Sequence, residues 1–398
     1  MSHALPPRVS FPQERLGERP CPACGAPTLR TFYSVRGIPV QSNLLVNNAG
    51  ESKAFPTGDV LLAQCDTCAF ITNAAFDEAR LMMSTAYEAS QACSPTFGSF
   101  AKKLAQQWIE RHDLRGKTLI EIGCGQGEFL EMICGLADAR GIGFDPVVRR
   151  ERSDRADAVF IAGPFEDFAD RVEGDFIFCR HTLEHIADPL KFLTLLRPAA
   201  ETVPVVFEVP DNARVLGEGA FWDVYYEHNS YFSPTSLTRV FQRAGFEVRQ
   251  TSLEFDDQYL VLEAGAEPPG GQKRDMPTLA ELRGASNFVR TATARMNEWM
   301  AFADKARQSG RRCVVWGSGS KAVGFLTTLG IDDVFACVVD INPAKQGSYL
   351  PGTALRIEPP SILTTVRPDD VVVMNPAYRD EIANDLHLMG LSPTVLTL

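Results

Sequence analysis

The apolar residues in the middle of the chain fall into short continuous runs separated by segments with helical spacing. Short runs of this kind, bounded by turn residues, are typical of strands buried on both faces of a parallel sheet. A preceding segment at 97–112 places Phe100, Leu104 and Trp108 on one helical face. The pattern predicts an α/β domain with a doubly wound sheet. Its predicted strands lie at 118–122, 142–144, 158–161, 175–178 and 203–209.

Two different patterns flank this domain. Residues 18–75 contain short apolar stretches broken by Gly, Pro and Asn, which predict strands and turns in a module too small for its own core. On the other side, a segment at 265–277 rich in Gly and Pro predicts a linker, and residues 278–308 have helical spacing. The apolar runs that follow predict a second βαβ unit. They lie at 313–316, 336–340 and 370–374.

Length and composition restrict the class of protein. A chain of 398 residues has room for two or three domains, and 45% hydrophobic with 22% charged residues is ordinary globular composition. The net charge of −11 argues against nucleic-acid or anionic-membrane binding, because both need a clustered positive face. We therefore expect a small-molecule partner. With no apolar run near the roughly 20 residues of a membrane span and no secretory leader, we expect a cytoplasmic protein.

Four of the ten cysteines form two Cys-x-x-Cys pairs, each followed by a small residue that lets the backbone curl around a metal. Four thiolates are the tetrahedral set that Zn²⁺ prefers in a structural site. We predict such a site, the alternative being that one pair is simply buried thiols in a loop. The other six cysteines are expected in the core. The predicted ligands are Cys21, Cys24, Cys65 and Cys68, followed by Gly25 and Ala69.

The first predicted strand runs into a glycine-rich turn and then a helix. The segment reads Glu-Ile-Gly-Cys-Gly-Gln-Gly from Glu121, and its glycines let the backbone approach a ligand closely. Asp145 ends the next strand, where a carboxylate can accept both hydroxyls of a ribose. This pattern resembles motif I of class I S-adenosylmethionine-dependent methyltransferases. The glycines are Gly123, Gly125 and Gly127.

That resemblance implies how the cofactor would be held. The loop with Glu121 would bind the amino-acid end, and Asp145 would bind the ribose. Phe165 and Glu166 follow the third strand, where these enzymes place adenine contacts. The segment from His181 to His185 looks like their fourth-strand signature, and it adds His181 to the expected cofactor contacts.

A second glycine loop, Gly317-Ser-Gly-Ser-Lys321-Ala, precedes Asp340 at the end of the next strand. Taken alone it fits the G-x-G-x-x-G/A dinucleotide pattern and supports an NAD(P)-linked oxidoreductase as an alternative. The other interpretation is a tight turn in a Rossmann-like domain that binds another ligand or none.

The order of the modules resembles, over nearly the full length, the three-domain sugar C-methyltransferases that act on nucleotide-activated 4-keto deoxysugars. The shared segments are the Gly-x-Gly-Ser-Lys loop, the Asp-Ile-Asn-Pro-Ala-Lys-Gln-Gly segment from Asp340, and the nine residues Tyr-Tyr-Glu-His-Asn-Ser-Tyr-Phe-Ser from Tyr225. Motif I departs from the Gly-Ser-Asn-Asp-Gly-like loop of those enzymes, which indicates a divergent branch. The resemblance implies a class I methyltransferase sheet flanked by a small N-terminal zinc module and a C-terminal Rossmann-like domain, at 1–80, 81–265 and 266–398.

Methylation of a carbon α to a ketone requires a base for the C–H proton and donors for the enolate oxygen. We assign the base to His228, whose ordinary pKa is near neutrality, although a structural histidine in a turn remains the alternative. Glu227 would orient substrate or its neighbours and, in a strand, would face away from His228. Tyr225 and His181 would donate to the oxyanion. A nucleotide sugar would need its phosphates met by local cations such as Lys321, Lys345 and Arg379.

The sequence thus predicts a S-adenosylmethionine-dependent C-methyltransferase with structural zinc. Its acceptor would be a small molecule methylated α to a carbonyl, either a nucleotide-linked keto-deoxysugar or another natural-product intermediate. O- or N-methylation in a biosynthetic pathway is the nearest alternative, since it uses the same cofactor pocket. An NAD(P)-linked oxidoreductase and a non-catalytic binding protein are the others.

Overall fold

The computed structural model describes residues 6–17, 19–82, 84, 86–266 and 277–398. Most of the predicted linker at 265–277 lies outside these ranges. No helix within them combines the length and apolar character that crossing a membrane requires.

The N-terminal region forms an antiparallel sheet around one long strand, β3. Two of the short apolar stretches in its sequence, at 31–35 and 60–64, lie inside the paired strands β3 and β4. The sheet order is β1-β3-β4-β5, with β2 also paired to β3. The elements are β1 (Val9–Ser10), β2 (Arg15–Leu16), β3 (Leu29–Pro39), α1 (Ala49–Lys53), β4 (Thr57–Cys65) and β5 (Ile71–Asn73).

The central region is the predicted α/β domain. Its first helix begins after Ser94, whose hydroxyl accepts the N–H of Phe97, and Pro95 occupies the first turn. The elements of this region are α2 (Pro95–His112), β6 (Thr118–Ile122), α3 (Glu128–Ala137), β7 (Arg140–Asp145), β8 (Ala158–Ala162), β9 (Phe176–Arg180), α4 (Pro189–Leu196), β10 (Val205–Pro210), α5 (Asn212–Glu218), β11 (Ser230–Tyr231), α6 (Pro234–Arg243), β12 (Phe246–Glu254) and β13 (Tyr259–Ala266).

Seven strands of this region form one sheet in the order β12-β13-β10-β9-β6-β7-β8. The five strands predicted from apolar runs are parallel to one another, and the β12–β13 hairpin adds antiparallel strands at one edge. The chain leaves β6 in one direction for β7 and β8 and returns on the other side for β9 and β10. The carboxyl ends of β6 and β9 therefore flank the switch point where doubly wound sheets bind ligands.

The C-terminal region is a second α/β unit with a fully parallel sheet in the order β16-β15-β14-β17-β18. The single helix predicted at 278–308 is in fact two, separated at Arg283. The elements are α7 (Leu279–Leu282), α8 (Gly284–Ser309), β14 (Cys313–Trp316), α9 (Ser320–Leu329), β15 (Phe335–Val339), β16 (Ile357–Glu358), α10 (Leu363–Val366), β17 (Asp370–Val373), α11 (Arg379–Leu388) and β18 (Thr394–Thr397).

The N-terminal sheet shares a hydrophobic core with the C-terminal region. The rings of Phe32 and Tyr33 in β3 pack edge-on against Phe288 of α8, with centroids 6.0 and 5.3 Å apart. Strand β11 of the central region also pairs with β5, as the last strand of the N-terminal sheet. The small module predicted to lack a core of its own is therefore completed by both of its neighbours.

Gly219 sets the distance between α5 and α8. It ends α5 with φ of +69°, and a Cβ there would lie 2.4 Å from the backbone N of Ala292 in α8. We expect Gly219→Ala to destabilise the protein by about 2 kcal/mol or more, through both the left-handed backbone and the clash. Thermal unfolding followed by circular dichroism measures the change.

Gly217 is the matched control, since it lies within α5 and its Cβ would have no neighbour within 4 Å. Gly217→Ala should leave stability unchanged or raise it by up to about 1 kcal/mol. An equal loss of unfolding free energy in Gly219→Ala and Gly217→Ala would contradict the packing explanation.

Candidate active site

The glycine-rich loop after β6 needs glycine for close packing as well as for backbone conformation. Gly123 has φ of +72°, and a Cβ there would lie 1.9 Å from the hydroxyl of Thr182, which follows β9. Gly127 has φ of +86°, and its Cβ would lie 2.2 Å from the ring of Phe160. Gly125 also has positive φ, but its Cβ would face open space. The loop thus packs closely against β8 and the end of β9. Only at Gly125, among its three glycines, would a Cβ have no neighbour within 4 Å.

Two carboxylates border this loop. Glu121 is 3% exposed, its Oε2 has no hydrogen-bond partner among the described residues, and burial raises its pKa to about 8. A desolvated carboxylate oxygen of this kind suits the ammonium group of an amino-acid ligand. Asp145 accepts the N–H of Gly125 at 2.8 Å and that of Val147 at 2.9 Å, one on each oxygen. Each oxygen keeps a second lone pair for a ribose hydroxyl.

The two residues expected near adenine lie in a 3₁₀ turn after β8. Phe165 is buried against Phe144, with centroids 5.6 Å apart, whereas Glu166 is exposed. The turn follows Gly163, whose N–H donates to the backbone carbonyl of Asp145 at 3.3 Å. Glu121 with the loop, Asp145 and this turn are thus the residues that could hold the amino-acid, ribose and adenine parts of S-adenosylmethionine.

His181 lies directly after β9 in a left-handed conformation, with φ of +50°, which is rare for a residue other than glycine. Its Nε2 lies 2.8 Å from Glu208 Oε1 and its Nδ1 3.6 Å from Glu184 Oε1. Burial acts to lower its pKa, but the two carboxylates outweigh it and raise the pKa to about 9. Arg180 also donates to Glu208, from Nη2 at 2.8 Å. His181 is therefore an imidazolium bound between two carboxylates.

His228 lies beside the 3₁₀ turn Leu183–His185, which follows His181 in the chain. Its ring packs edge-on against Tyr225 and His185, with centroids 4.7 and 4.9 Å apart. One ring nitrogen each of His185 and His228 and one carboxylate oxygen of Glu184 all lie within 4.8 Å of one another. Desolvation of this half-buried ring and the nearby His185 lower the pKa of His228 to about 3, so the ring is neutral at physiological pH.

Glu227 faces the N-terminal module and is not among the contacts of the His228 ring. Its Oε1 accepts the backbone N–H of Ser42 at 3.0 Å and the Ser42 hydroxyl, and its Oε2 accepts the Tyr87 hydroxyl at 3.1 Å. Through Ser42 this buried carboxylate holds the N-terminal module to the site, and through Tyr87 it holds the segment that follows that module.

The second glycine loop is bonded within itself and to its neighbours. Asp340 Oδ2 accepts the N–H and the hydroxyl of Ser318, at 2.8 and 2.6 Å. Lys321 Nζ lies on the carboxylate of Asp223, and Lys345 Nζ donates to Asn43 at 3.3 Å. Arg379 Nη1 also lies 3.8 Å from Asp380 Oδ1, so all three cations expected to meet phosphates already have protein partners.

Sequence reasoning missed the residues that hold the site together. Glu208, Glu184 and Asp223 are buried or nearly buried carboxylates, and Ser42 and Tyr87 hold Glu227 from the N-terminal side. The one signal in the sequence was an acidic residue within an apolar run, as at Asp223 in Phe-Trp-Asp-Val-Tyr-Tyr.

Two family models match separate parts of the chain. Residues 97–251 match a "Methyltransferase domain" and residues 272–390 match a "C-methyltransferase C-terminal domain". The second glycine loop thus lies in a domain type that occurs in C-methyltransferases.

Similar proteins include C-methyltransferase NovU of Streptomyces niveus, which is 25% identical over 392 residues, or 92% of this chain and 91% of that one. Among solved structures, the 1,6-didemethyltoxoflavin-N1-methyltransferase of Burkholderia thailandensis is 14% identical with a TM-score of 0.35, and covers 44% of this chain and 82% of its own. The magnesium protoporphyrin IX methyltransferase of Synechocystis is 13% identical with a TM-score of 0.34, and covers 43% and 84%. The chain is a S-adenosylmethionine-dependent methyltransferase and is similar to a C-methyltransferase over nearly its full length.

Proposed function

We propose that this enzyme methylates a carbon α to a carbonyl of a small molecule, with His228 as general base. The observation that carries the proposal is a neutral, partly exposed imidazole beside the cofactor loop, held by the rings of Tyr225 and His185. The path from loop to base is short: Thr182 contacts Gly123, and His185 is in the same turn as Thr182.

The chemistry requires one proton transfer and one methyl transfer. His228 takes the α proton and becomes imidazolium, which leaves an enolate on the acceptor. S-adenosylmethionine, which Glu121, Asp145 and the glycine-rich loop would hold, would supply its sulfonium methyl group to the enolate carbon and would leave as S-adenosylhomocysteine. The chain's part is to hold base and cofactor in line and to exclude water, since positioning supplies much of such a rate gain.

The enolate oxygen needs a donor, and the prediction assigned Tyr225 and His181 to it. The Tyr225 hydroxyl donates its proton to Asp223 at 2.6 Å, so the part proposed for Tyr225 is to support the His228 ring against which it packs. Both nitrogens of His181 face carboxylates, and its proposed part is to supply positive charge beside the site. Fixed charge near a developing oxyanion lowers the barrier.

For the acceptor we propose a nucleoside diphosphate-linked 4-keto-deoxysugar, on the resemblance of the segment from Tyr225 to Ser233 to sugar C-methyltransferases. O- or N-methylation of a small molecule remains the second candidate, because the cofactor loop described here would serve it equally.

His228→Ala should abolish turnover without loss of the cofactor. With S-adenosylmethionine and a nucleoside diphosphate 4-keto-6-deoxyhexose, we expect kcat to fall at least about 100-fold, the usual contribution of a positioned base. Affinity for S-adenosylhomocysteine, measured by calorimetry, should change by less than about threefold because His228 lies outside the cofactor loop.

Deuterium oxide separates the carbon route from its rivals. Wild-type protein should exchange the α proton of the ketosugar with solvent, and His228→Ala should not, because only the carbon route removes that proton. Methyl transfer without exchange in the wild type would favour O- or N-methylation. An unchanged rate in His228→Ala would exclude it as the base.

The pH profile tests the environment of His228. Because its pKa is lowered to about 3, the base form is present at all higher pH values and is lost only as the pH falls toward 3. We expect kcat at saturating cofactor to show no histidine limb between pH 5 and pH 8. A fall of about tenfold per unit below pH 6.5 would instead indicate an unperturbed histidine. Circular dichroism at each pH controls for unfolding.

We also propose that the four N-terminal cysteines hold structural Zn²⁺. The Sγ atoms of Cys21 and Cys68 lie 3.7 Å apart and those of Cys24 and Cys65 lie 3.6 Å apart. Tetrahedral zinc with Zn–S bonds of about 2.3 Å has sulfur–sulfur edges of about 3.8 Å. The site joins the start of the chain to the end of β4, and the residues after each pair, Gly25 and Ala69, have positive φ of +72° and +60°. With these sulfur–sulfur distances and backbone angles, zinc would bind without movement of the backbone.

Metal analysis tests this site directly. Purified protein should contain about one equivalent of zinc, and Cys65→Ser should lose it and unfold at a lower temperature, because structural zinc contributes folding free energy. Cys93→Ser, at an exposed cysteine outside the cluster, is the control and should keep both metal and stability. Less than about half an equivalent in the wild type would contradict a four-thiolate site.

A further inference from the structure

A largely buried carboxylate, Asp223, joins the C-terminal domain to the proposed base. It ends a 3₁₀ turn at Phe221–Asp223, and its neighbours come from three elements. Lys321 Nζ lies 2.6 Å from Oδ1 and 2.8 Å from Oδ2, and Arg214 Nη2 lies 2.6 Å from Oδ2. The Tyr225 hydroxyl donates to Oδ1 at 2.6 Å.

Tyr225 transmits the position of this carboxylate to the base. The residue is 8% exposed, its hydroxyl is bound to Asp223, and its ring packs edge-on against His228 at 4.7 Å and 77°. With one end bonded and the ring packed, Tyr225 has one placement relative to Asp223. A displacement of the Asp223 carboxylate would therefore move the Tyr225 ring, against which His228 packs.

Lys321 and Arg214 are not equivalent partners. Arg214 donates to Oδ2, whereas Lys321 bonds both oxygens and so shares Oδ1 with the Tyr225 hydroxyl. Lys321 is thus the cation that fixes the oxygen on which Tyr225 depends.

The helix that carries Lys321 is itself held tightly to the turn. Gly324 of α9 packs on the carbonyl of Trp222, so that a Cβ would lie 2.7 Å from that oxygen. At the start of α9, the Asn43 amide donates to the Ser320 hydroxyl at 2.9 Å. The ion pair between Lys321 and Asp223 therefore joins two surfaces in direct contact and is not a flexible side-chain encounter.

We propose that Lys321 is a positioning residue for the methyl-transfer reaction: it fixes Asp223, which holds Tyr225 against His228. The C-terminal glycine-rich loop then completes the active site from outside the methyltransferase sheet. The inference rests on the proposed function in taking His228 as the base. A phosphate at Lys321 would have to displace a two-oxygen ion pair that is largely shielded from water, so the lysine serves the protein and not the substrate.

Replacement of the lysine tests this. Lys321→Met removes the charge with little change in volume, and we expect kcat with the 4-keto-deoxyhexose to fall about 10- to 100-fold. The KM for the acceptor and the affinity for S-adenosylhomocysteine should stay within about threefold, because neither ligand is held by Lys321. Lys321→Arg keeps the charge and should restore most of kcat.

Arg311→Met is the matched control, since it removes another two-oxygen ion pair of the same domain, with Asp370. It should lower the melting temperature and leave kcat unchanged. If Lys321→Met does not fold, Lys321→Gln, which keeps a donor but not the charge, serves in the same comparison.

A double mutant separates positioning from general stabilisation. Tyr225→Phe removes the hydroxyl that links the ring to Asp223. If Lys321 acts through that link, Lys321→Met in the Tyr225→Phe background should cost less than about threefold in kcat. A cost equal to that in the wild-type background would overturn the proposal, as would an unchanged kcat in the single variant.

Fluorine NMR of protein labelled with 3-fluorotyrosine gives a readout that needs no acceptor. The Tyr225 resonance is identified by its loss in Tyr225→Phe, and it should shift in Lys321→Met but not in Arg311→Met. An unshifted Tyr225 resonance in Lys321→Met would overturn the positioning role. If the wild type fails to methylate the ketosugar, the acceptor proposal fails, whereas the NMR comparison still decides the role of Lys321.

Discussion

Charge balance around buried carboxylates determines how this enzyme is assembled. A carboxylate removed from water must be met by cations or hydrogen-bond donors, and here the partners come from distant parts of the chain. Glu227 is satisfied by Ser42 and Tyr87, Asp223 by Lys321 together with its neighbours, and Glu208 by the end of β9. The first two lie four residues apart in sequence. The N-terminal module and the C-terminal domain are therefore bound to the same short segment, and to each other where Asn43 donates to Ser320.

Much of the fold could be predicted because local pattern determines it. The five parallel strands follow continuous apolar runs, and the glycine loop after β6 has a spacing that only a close turn explains. The β12–β13 hairpin was not assigned, since its alternating and partly polar β12 lacks such a run. Of the proposed site, Tyr225, Glu227 and His228 were predicted through a nine-residue motif. Their partners were not, because the Lys321–Asp223 and Ser42–Glu227 contacts join residues 98 and 185 positions apart.

The N-terminal module illustrates a second limit of sequence reasoning. Its size indicates too little apolar surface for a separate core, and a structural metal was expected to stabilise it instead. In the structure β3 packs on α8 as well, so apolar burial against the C-terminal region stabilises the sheet independently of the cysteine cluster. Sequence composition registers a missing core but contains no information about which neighbour supplies it, because packing partners are set by topology.

The pairing of β11 with β5 has a consequence for the relation between the domains. Asn229, directly after the proposed base, accepts the backbone N–H of Asn73 at 2.9 Å and the Thr72 hydroxyl at 3.1 Å. The segment that bears the proposed base thus leads directly into the outer strand of the N-terminal sheet, although the chain enters it from the methyltransferase sheet. In a chimera built from two such enzymes, the N-terminal domain and this segment would have to be transferred together, as one unit of exchange that is discontinuous in the gene.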